Sequence, residues 1–312
     1  MTEQEGLKIT ILKDTDEGSM GYESRKLLSD ADFKFRFKNR VDFTNVSKTP
    51  LRIRLLRNAI VAEDLLADRS DLAILGLDMI QEANPGLIPL MPLGFAQCGL
   101  YLGVRNDIPY SSPQDLAGLR VATSYLVQTQ KFFDKYGVKP IIVYRPGGEE
   151  SFVNVEEGNA EACVVISESG TSFDANKITA RELLLESEAY LVASPYLGQK
   201  RGSERFVQEF LTRITSVIRG RFYTGIVMNT PQRTLNDVVK LLPSAESPTI
   251  AKLEEAGWSA VSSLIPKTAF WDLVFKLQQT GVRDIYEQAI KKVVPNIDDP
   301  TILSMMGKIY RS

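Results

Sequence analysis

The 312-residue chain contains no histidine. That absence excludes a Ser-His-Asp triad, an imidazole general base and every imidazole metal ligand. Cysteine is scarce: Cys98 and Cys163 are too few for a disulfide framework or a thiolate zinc site. An excess of one charge is missing as well. Thirty-seven basic residues face 39 acidic ones, so the net charge of -2 leaves no electrostatic footprint for nucleic acid or an anionic membrane. No apolar run approaches the ~20 residues of a membrane span. The opening "MTEQEGLKIT" is acidic and polar, unlike a secretory signal, and the expected location is the cytoplasm. The chemistry left to the chain rests on carboxylates, Lys, Arg, hydroxyls and backbone dipoles. Such an inventory suits anion binding and electrostatic catalysis, with an oxygen-bound Mg2+ where a metal is needed.

The hydrophobic share is 44%, ordinary for a globular chain long enough to form two or three domains with their own cores. "LKITIL" alternates as a strand, "YESRKLLSDADF" reads as an amphipathic helix and "PLRIRLL" as a strand. The helix "NAIVAEDLLADRS" and the buried strand "DLAILGLDMI" follow. This order predicts a parallel sheet with crossover helices. "GFAQCGLYLGV" is extended and "SSPQDLAG" is a short capped helix. "LRVATSY", "VQTQKFFDKYGV" and "KPIIVYRPGGEE" then read as strand, helix and strand, "SFVNVEEGNA" as a short helix, and "EACVVISESG" as a strand and turn. These form a second α/β lobe. "ELLLESEAYLVAS" returns as one strand before the long amphipathic helix "SERFVQEFLTRITSVIRGRF". Two lobes joined by crossing strands leave a cleft, the usual site of a small anionic ligand. From Tyr223 a βαββαβ-like order predicts a ferredoxin-like α+β module.

The stretch "CVVISESGTSF" combines a buried strand with a hydroxyl-rich turn. Ser169, Gly170, Thr171 and Ser172 could direct backbone N–H groups at a phosphate; the plain alternative is a Ser/Gly turn with a helix cap. Phosphosugar sites of this kind usually place an acid on the strand, and here the strand holds only valine and isoleucine.

Taken in order, these segments resemble the long form of ATP phosphoribosyltransferase, which joins ATP to phosphoribosyl pyrophosphate in the first step of histidine biosynthesis. "DLAILGLD", "LGFAQCGLYLGV", "LAGLRVATSY", "LLESEAYLVAS", "LTRITSVIRGR" and "LLPSAESPTI" each look like family segments, as do "GWSAVSSLIP" and "FWDLVFKLQQTG" of its regulatory domain. The resemblance implies an α/β, two-lobed catalytic region of the periplasmic-binding-protein type II topology, followed by a ferredoxin-like ACT-type domain. The expected division is 1–105 with 186–222, then 106–185, then 223–312. It also implies a small anionic nucleotide or phosphosugar ligand, Mg2+, and a homo-oligomer, dimer or hexamer.

Several contact positions depart from the family pattern. Val165 stands where the family has Asp. The acidic run after the arginine becomes Asn58-Ala59-Ile60, while Arg57 remains. A nucleotide-site glutamate becomes Phe152, with Glu149 and Glu150 nearby to compensate by a register shift. Lys13 survives in a longer loop, and Leu126 replaces a proline. Ser262 stands where many members have His, and "IYEQAIKKV" reads as helix or edge rather than as a buried last strand. The candidate ligand residues are Lys13, Arg57, Thr123, Ser124, Tyr125 and Ser169–Ser172, with no catalytic residue and no metal ligand singled out. For Lys13 and Arg57 the plain alternative is a solvated charge; for Thr123–Tyr125 it is a capped helix start. Three functions stay open: the family transferase, a paralogue acting on another phosphorylated or nucleotide-like substrate, and a non-catalytic binding or regulatory subunit.

Overall fold

The computed structural model describes residues 6–37, 43–83, 86–153, 159–167, 173, 176–200, 202–243 and 247–310. Cα packing separates two compact units. The first takes in the described residues through Lys26, those of Lys34–Glu204 and those from Ser304 on; the second takes in Leu27–Phe33 and Arg205–Leu303.

The chain begins with β1 (Leu7–Leu12), α1 (Met20–Asp30), β2 (Phe43–Asn45), β3 (Leu51–Leu56), α2 (Asn58–Leu66), β4 (Leu72–Gly76), α3 (Leu77–Glu82) and β5 (Ile88–Pro92). These strands, with the later β11 (Ala189–Ala193), form a sheet of order β2-β3-β1-β4-β11-β5. β1 runs parallel to β3 and β4, whereas β11 is antiparallel to both its neighbours. "LKITIL" alternates in sequence, yet every residue except Lys8 is buried. A strand in the middle of a parallel sheet is covered on both faces, and position overrides alternation. One face is sealed by α2, whose Val61, Ala62 and Leu65 pack with Leu12, Ala73, Leu75 and Val192.

The second sheet is built from β6 (Cys98–Arg105), β7 (Arg120–Thr123), β8 (Ile141–Tyr144), β9 (Ala162–Ser167) and β10 (Ile178–Ser187), in the order β10-β6-β9-β7-β8. Between them lie α4 (Leu126–Tyr136) and α5 (Glu149–Phe152). A 3-10 turn at Pro113–Leu116 is fixed by a capping box of Ser112 and Asp115. Helix α4 ends where expected, because Gly137 takes the left-handed conformation at φ 68°. β9 splits its side chains between two clusters. Ala162 and Val164 join Phe133 and Leu100 on one face; Cys163 and Val165 join Ala122 and Phe173 on the other. "ELLLESEAYLVAS" is two strands rather than one: β10 ends at Ser187 in the five-stranded sheet, and β11 starts at Ala189 in the six-stranded sheet. The chain thus passes twice between the sheets, and each sheet holds an antiparallel strand among parallel ones. This is the type II periplasmic-binding-protein arrangement.

The second unit contains most of α6 (Glu204–Phe222), then β12 (Tyr223–Pro231), α7 (Leu235–Leu241), β13 (Thr249–Lys252), β14 (Trp258–Pro266), α8 (Phe270–Gln278) and β15 (Arg283–Gln288). The last helix is α9 (Pro300–Tyr310). The order β13-β14-β12-β15, antiparallel throughout, is the ferredoxin-like pattern. Ile226, Met228, Val261 and Ile265 of the sheet pack on Val238, Leu273 and Leu277 of the helices. Burying each such side chain stabilises the unit by about 1.5–3 kcal/mol. The "IYEQAIKKV" region supplies an exposed strand that pairs with β12, lies at the edge of the sheet among the described residues and ends at Gln288. Phe33 stacks on Phe210 with ring centroids 5.3 Å apart, and the Arg213 guanidinium lies 5.1 Å over the Phe33 ring.

Candidate functional site

Lys13 and Arg57 leave adjacent parallel strands side by side. Leu12 and Leu56 are register partners, and the Lys13 N–H donates to the Leu56 carbonyl at 3.0 Å. Both side chains are exposed at the carboxyl ends of strands, where α/β folds place their ligands. A residue the sequence did not reveal shapes this loop. Arg25 of α1 donates to the carbonyls of Lys13 (2.9 Å), Leu12 (3.3 Å) and Asp14. Three carbonyls on one guanidinium fix the loop that carries Lys13.

In the other sheet, Thr123–Ser124–Tyr125 joins β7 to α4. The Thr123 hydroxyl is fully buried and donates to the Val164 carbonyl at 2.9 Å. It also accepts from the Tyr125 N–H at 2.9 Å and from the Thr129 hydroxyl at 3.2 Å. Its hydrogen-bonding capacity is spent on the strand-to-helix turn. Ser124 is half-buried. The Tyr125 hydroxyl donates to Asp78 Oδ2 at 3.0 Å, and Ser187 Oγ donates to Asp78 Oδ1 at 2.6 Å. Ser187 Oγ in turn accepts from the Asp78 N–H at 3.1 Å. A Cβ at Gly76 would lie 2.2 Å from Asp78 Oδ1, so only glycine lets this carboxylate fold back there. Burial first, and then the Asp78 charge, push the Tyr125 phenol well above its ordinary range, so it stays a donor at neutral pH.

α4 has no side-chain cap of its own at Tyr125. Its first amides are taken by Glu82 of α3: Val127 N–H donates to Oε1 at 2.8 Å and Gln128 N–H to Oε2 at 3.0 Å. Gln128 Nε2 also donates to the Gln81 carbonyl at 2.8 Å. Sequence reasoning missed Glu82, since nothing in "DMIQEA" marks it as the cap of a helix 45 residues away.

Val165 is 8% exposed and sits in an apolar cluster with Ala122, Cys163, Phe173 and Ile178, flanked by Tyr101 and Phe152. Phe173 fits because Gly103 has no side chain; a Cβ there would meet the Phe173 ring at 2.6 Å and Ile178 at 2.7 Å. The Tyr101 ring meets the Phe173 ring edge-on at 6.4 Å. The strand position where the resemblance implies an acid is therefore occupied by apolar packing. Glu149, at the start of α5, is 4% exposed, whereas Phe152 is half-buried beneath the Arg145 guanidinium, 5.1 Å from its ring centroid. Glu149 is close enough to Tyr125 for its charge to help raise the phenol. Ser169, Gly170, Thr171 and Ser172, together with Glu168, lie outside the described residues.

Where the chain crosses between the sheets, a cavity of about 500 Å³ is lined by Leu77, Gln97, Cys98, Tyr101, Ser187 and Tyr190, among others. Among the described residues no group of three or more Cys, Asp and Glu side chains is placed to hold a metal ion. They do not form an all-protein cage for Mg2+. Also among the described residues, no helix is long and apolar enough to cross a membrane.

Comparison with known proteins agrees with this architecture. The family model described as ATP phosphoribosyltransferase matches residues 57–216, and that of the HisG C-terminal domain matches residues 221–292. The ATP phosphoribosyltransferase of Phocaeicola vulgatus is 27% identical over 278 residues, spanning 89% of this chain and 97% of the relative. That of Candida glabrata is 29% identical over 283 residues, spanning 86% and 91%. Among solved structures, a chain of the ATP phosphoribosyl transferase (HisG:HisZ) complex from Thermotoga maritima superposes with a TM-score of 0.58 at 19% identity. The match covers 68% of this chain and 98% of that one, and it speaks to the fold.

Proposed function

Since the chain belongs to the ATP phosphoribosyltransferase family, we propose that it binds a small anionic nucleotide or phosphosugar in the cleft of its first unit and has lost efficient transfer of phosphoribosyl from phosphoribosyl pyrophosphate to ATP. One observation carries this: Val165 lies in an apolar cluster at the strand position where the family has an acid. A ribose hydroxyl facing valine loses its acceptor. Leaving one buried polar group unpaired costs about 1–3 kcal/mol, roughly a factor of 5 to 200 in affinity. Phosphoribosyl transfer runs through a cationic sugar that relies on such carboxylates, so the rate falls with the affinity.

The remaining roles follow from the residues present. Lys13 and Arg57 offer cationic charge at neighbouring strand ends. Ser124 and Tyr125 offer hydroxyls at the start of α4, and Thr123 holds that start in shape. Ser169–Ser172 supply the phosphate turn that the family resemblance implies. Mg2+ would enter as the partner of the ligand's pyrophosphate rather than in a site of its own. The division into modules 1–105 with 186–222, 106–185 and 223–312, a cytoplasmic location and assembly as a homodimer or homohexamer belong to the same proposal.

Full transferase activity is the second possibility. It is supported by the two family models, which match the catalytic and C-terminal regions in order. Calorimetry with ATP and with phosphoribosyl pyrophosphate, each with Mg2+, and a pyrophosphate-release assay separate the two. We expect binding of at least one ligand with little or no release. Turnover at a rate typical of enzymes, about 1–1000 per second, would establish the transferase instead, and failure of both ligands to bind would remove the proposal. Val165→Asp is expected to tighten phosphoribosyl pyrophosphate binding about tenfold and to lower stability without ligand by about 1–3 kcal/mol, as a carboxyl enters apolar surroundings.

A further inference from the structure

Closing a two-lobed cleft normally depends on a ligand that touches both lobes. Here part of that bridge is already written into the chain. α3 follows β4 of the six-stranded sheet and α4 follows β7 of the five-stranded sheet. The two helices meet through one face of α3, on which Asp78, Gln81 and Glu82 lie at spacings of three and four. Asp78 accepts from the Tyr125 hydroxyl at 3.0 Å, and the Gln81 carbonyl accepts from Gln128 Nε2 at 2.8 Å. Glu82 accepts from the Val127 and Gln128 amides at 2.8 and 3.0 Å. A carboxylate gripping two consecutive amides at the positive end of a helix makes a charge-assisted contact of fixed geometry. Apolar packing does not replace it, since Leu126 and Val127 of the same turn are 41% and 38% exposed. The contact also reaches the chain crossing, because Ser187, the last residue of β10, holds the other oxygen of Asp78.

We propose that α3 and the first turn of α4 form a built-in clasp, centred on Glu82, which holds the two lobes of the first unit closed without a ligand. This rests on the assignment of the cleft between these lobes as the ligand site, and it adds how that site is regulated. A ligand that enters the cleft must find it open. Its apparent affinity is then reduced by the fraction of molecules in which the clasp is broken. Tyr125 stands in both roles, as a candidate ligand contact and as a clasp donor to Asp78.

The clasp is tested on the full chain without ligand, by residue-resolved amide hydrogen exchange together with small-angle X-ray scattering. In Glu82→Ala the Val127 and Gln128 amides are expected to exchange at least tenfold faster, and the radius of gyration to increase. Glu82→Gln, which keeps one acceptor oxygen, should fall between this variant and the wild type. Val121 and Cys163, inside the five-stranded sheet, should keep their protection, which separates clasp opening from unfolding. Faster exchange at Val127 and Gln128 with an unchanged radius would reduce Glu82 to a helix cap and overturn the clasp, as would unchanged exchange. Loss of protection at Val121 and Cys163 as well would assign Glu82 to fold stability and likewise overturn it. None of these readouts uses a nucleotide or phosphosugar. A failure of ATP or phosphoribosyl pyrophosphate to bind would therefore count against the function proposed above and leave the clasp standing.

Discussion

Against the six-stranded sheet of the first unit, Asp64 of α2 is 2% exposed and has polar partners on both carboxylate oxygens. Ser70 Oγ donates to Oδ2 at 2.6 Å, Thr10 Oγ1 at 3.2 Å and Arg69 Nε to Oδ1 at 3.1 Å, with Arg54 Nη1 on the same oxygen. Asp71, 3% exposed, accepts from Lys200 Nζ and from the Lys8 N–H, each at 2.6 Å. In the five-stranded sheet Val165 is surrounded by alanine, cysteine, phenylalanine and isoleucine. The difference separates two kinds of buried acid. Asp64 and Asp71 tie loops and helices to strands of their own sheet, and the fold depends on them. Position 165 is filled by apolar packing, and the sheet is built there without an acid.

This contrast is open to direct attack. The largest effect is expected from Asp64→Ala, which leaves the half-buried Arg54 and the buried Thr10 and Ser70 hydroxyls without their shared acceptor. Breaking a buried charged pair in this way costs about 3–5 kcal/mol, read as a lower midpoint in urea. A loss below about 1 kcal/mol would erase the distinction between the two sheets. Next comes the glycine that admits the apolar layer. Gly103→Ala forces a methyl against Phe173 and Ile178, which are 2% and 1% exposed. Overpacking of this kind costs about 1–3 kcal/mol. Gly99→Ala meets Tyr101 at 2.4 Å, but that ring is half-buried and can swing aside, so the loss should be the smaller of the two in the same melt.

The smallest effect concerns pH. Glu161, beside β9, accepts from Arg120 Nη2 at 2.6 Å and from the Arg120 N–H at 2.8 Å, and these bonds hold its carboxyl below the usual range. A depressed folded-state value means the contribution is fully present above about pH 4.3, the ordinary glutamate value. It fades as pH falls through the lower folded-state value. Glu161→Gln should therefore be less stable than wild type at pH 7, and the gap should narrow as pH falls below about 4. A gap that stays constant as the solution is acidified would exclude the ion pair as its source.

The main strands and long helices were legible because burial imposes period on sequence. "DLAILG" is apolar throughout and "VQTQKFFDKYG" carries its own stop signal. β2, β5 and β13 were not legible. They are edge strands of three to five residues, and β5 contains Pro89 and Pro92 while β13 is exposed along its whole length. The break between β10 and β11 was hidden because Glu188 interrupts no hydrophobic pattern. At the site, position could be read but partners could not. Lys13 and Arg57 fall at strand ends as the spacing requires. Arg25, Glu82 and Asp78 act through contacts 11 to 109 residues away in the chain, for which local sequence holds no signal. Ser169–Ser172, which the sequence leads one to expect as a turn, lie outside the described residues.

The stacking of Phe33 on Phe210 has a consequence for how such proteins can be taken apart. Leu27–Phe33 belongs to the same compact unit as Arg205–Leu303, and Asp32 is paired with Lys292. The second unit is therefore not a cassette. A gene fragment starting at Tyr223 would lack Phe210 and Arg213, and one starting at Arg205 would leave Phe210, Arg213 and Lys292 without the seven residues that complete their packing. Transplanting this module onto another enzyme requires two separate pieces of the gene, and an exchange with a single breakpoint delivers an incomplete one.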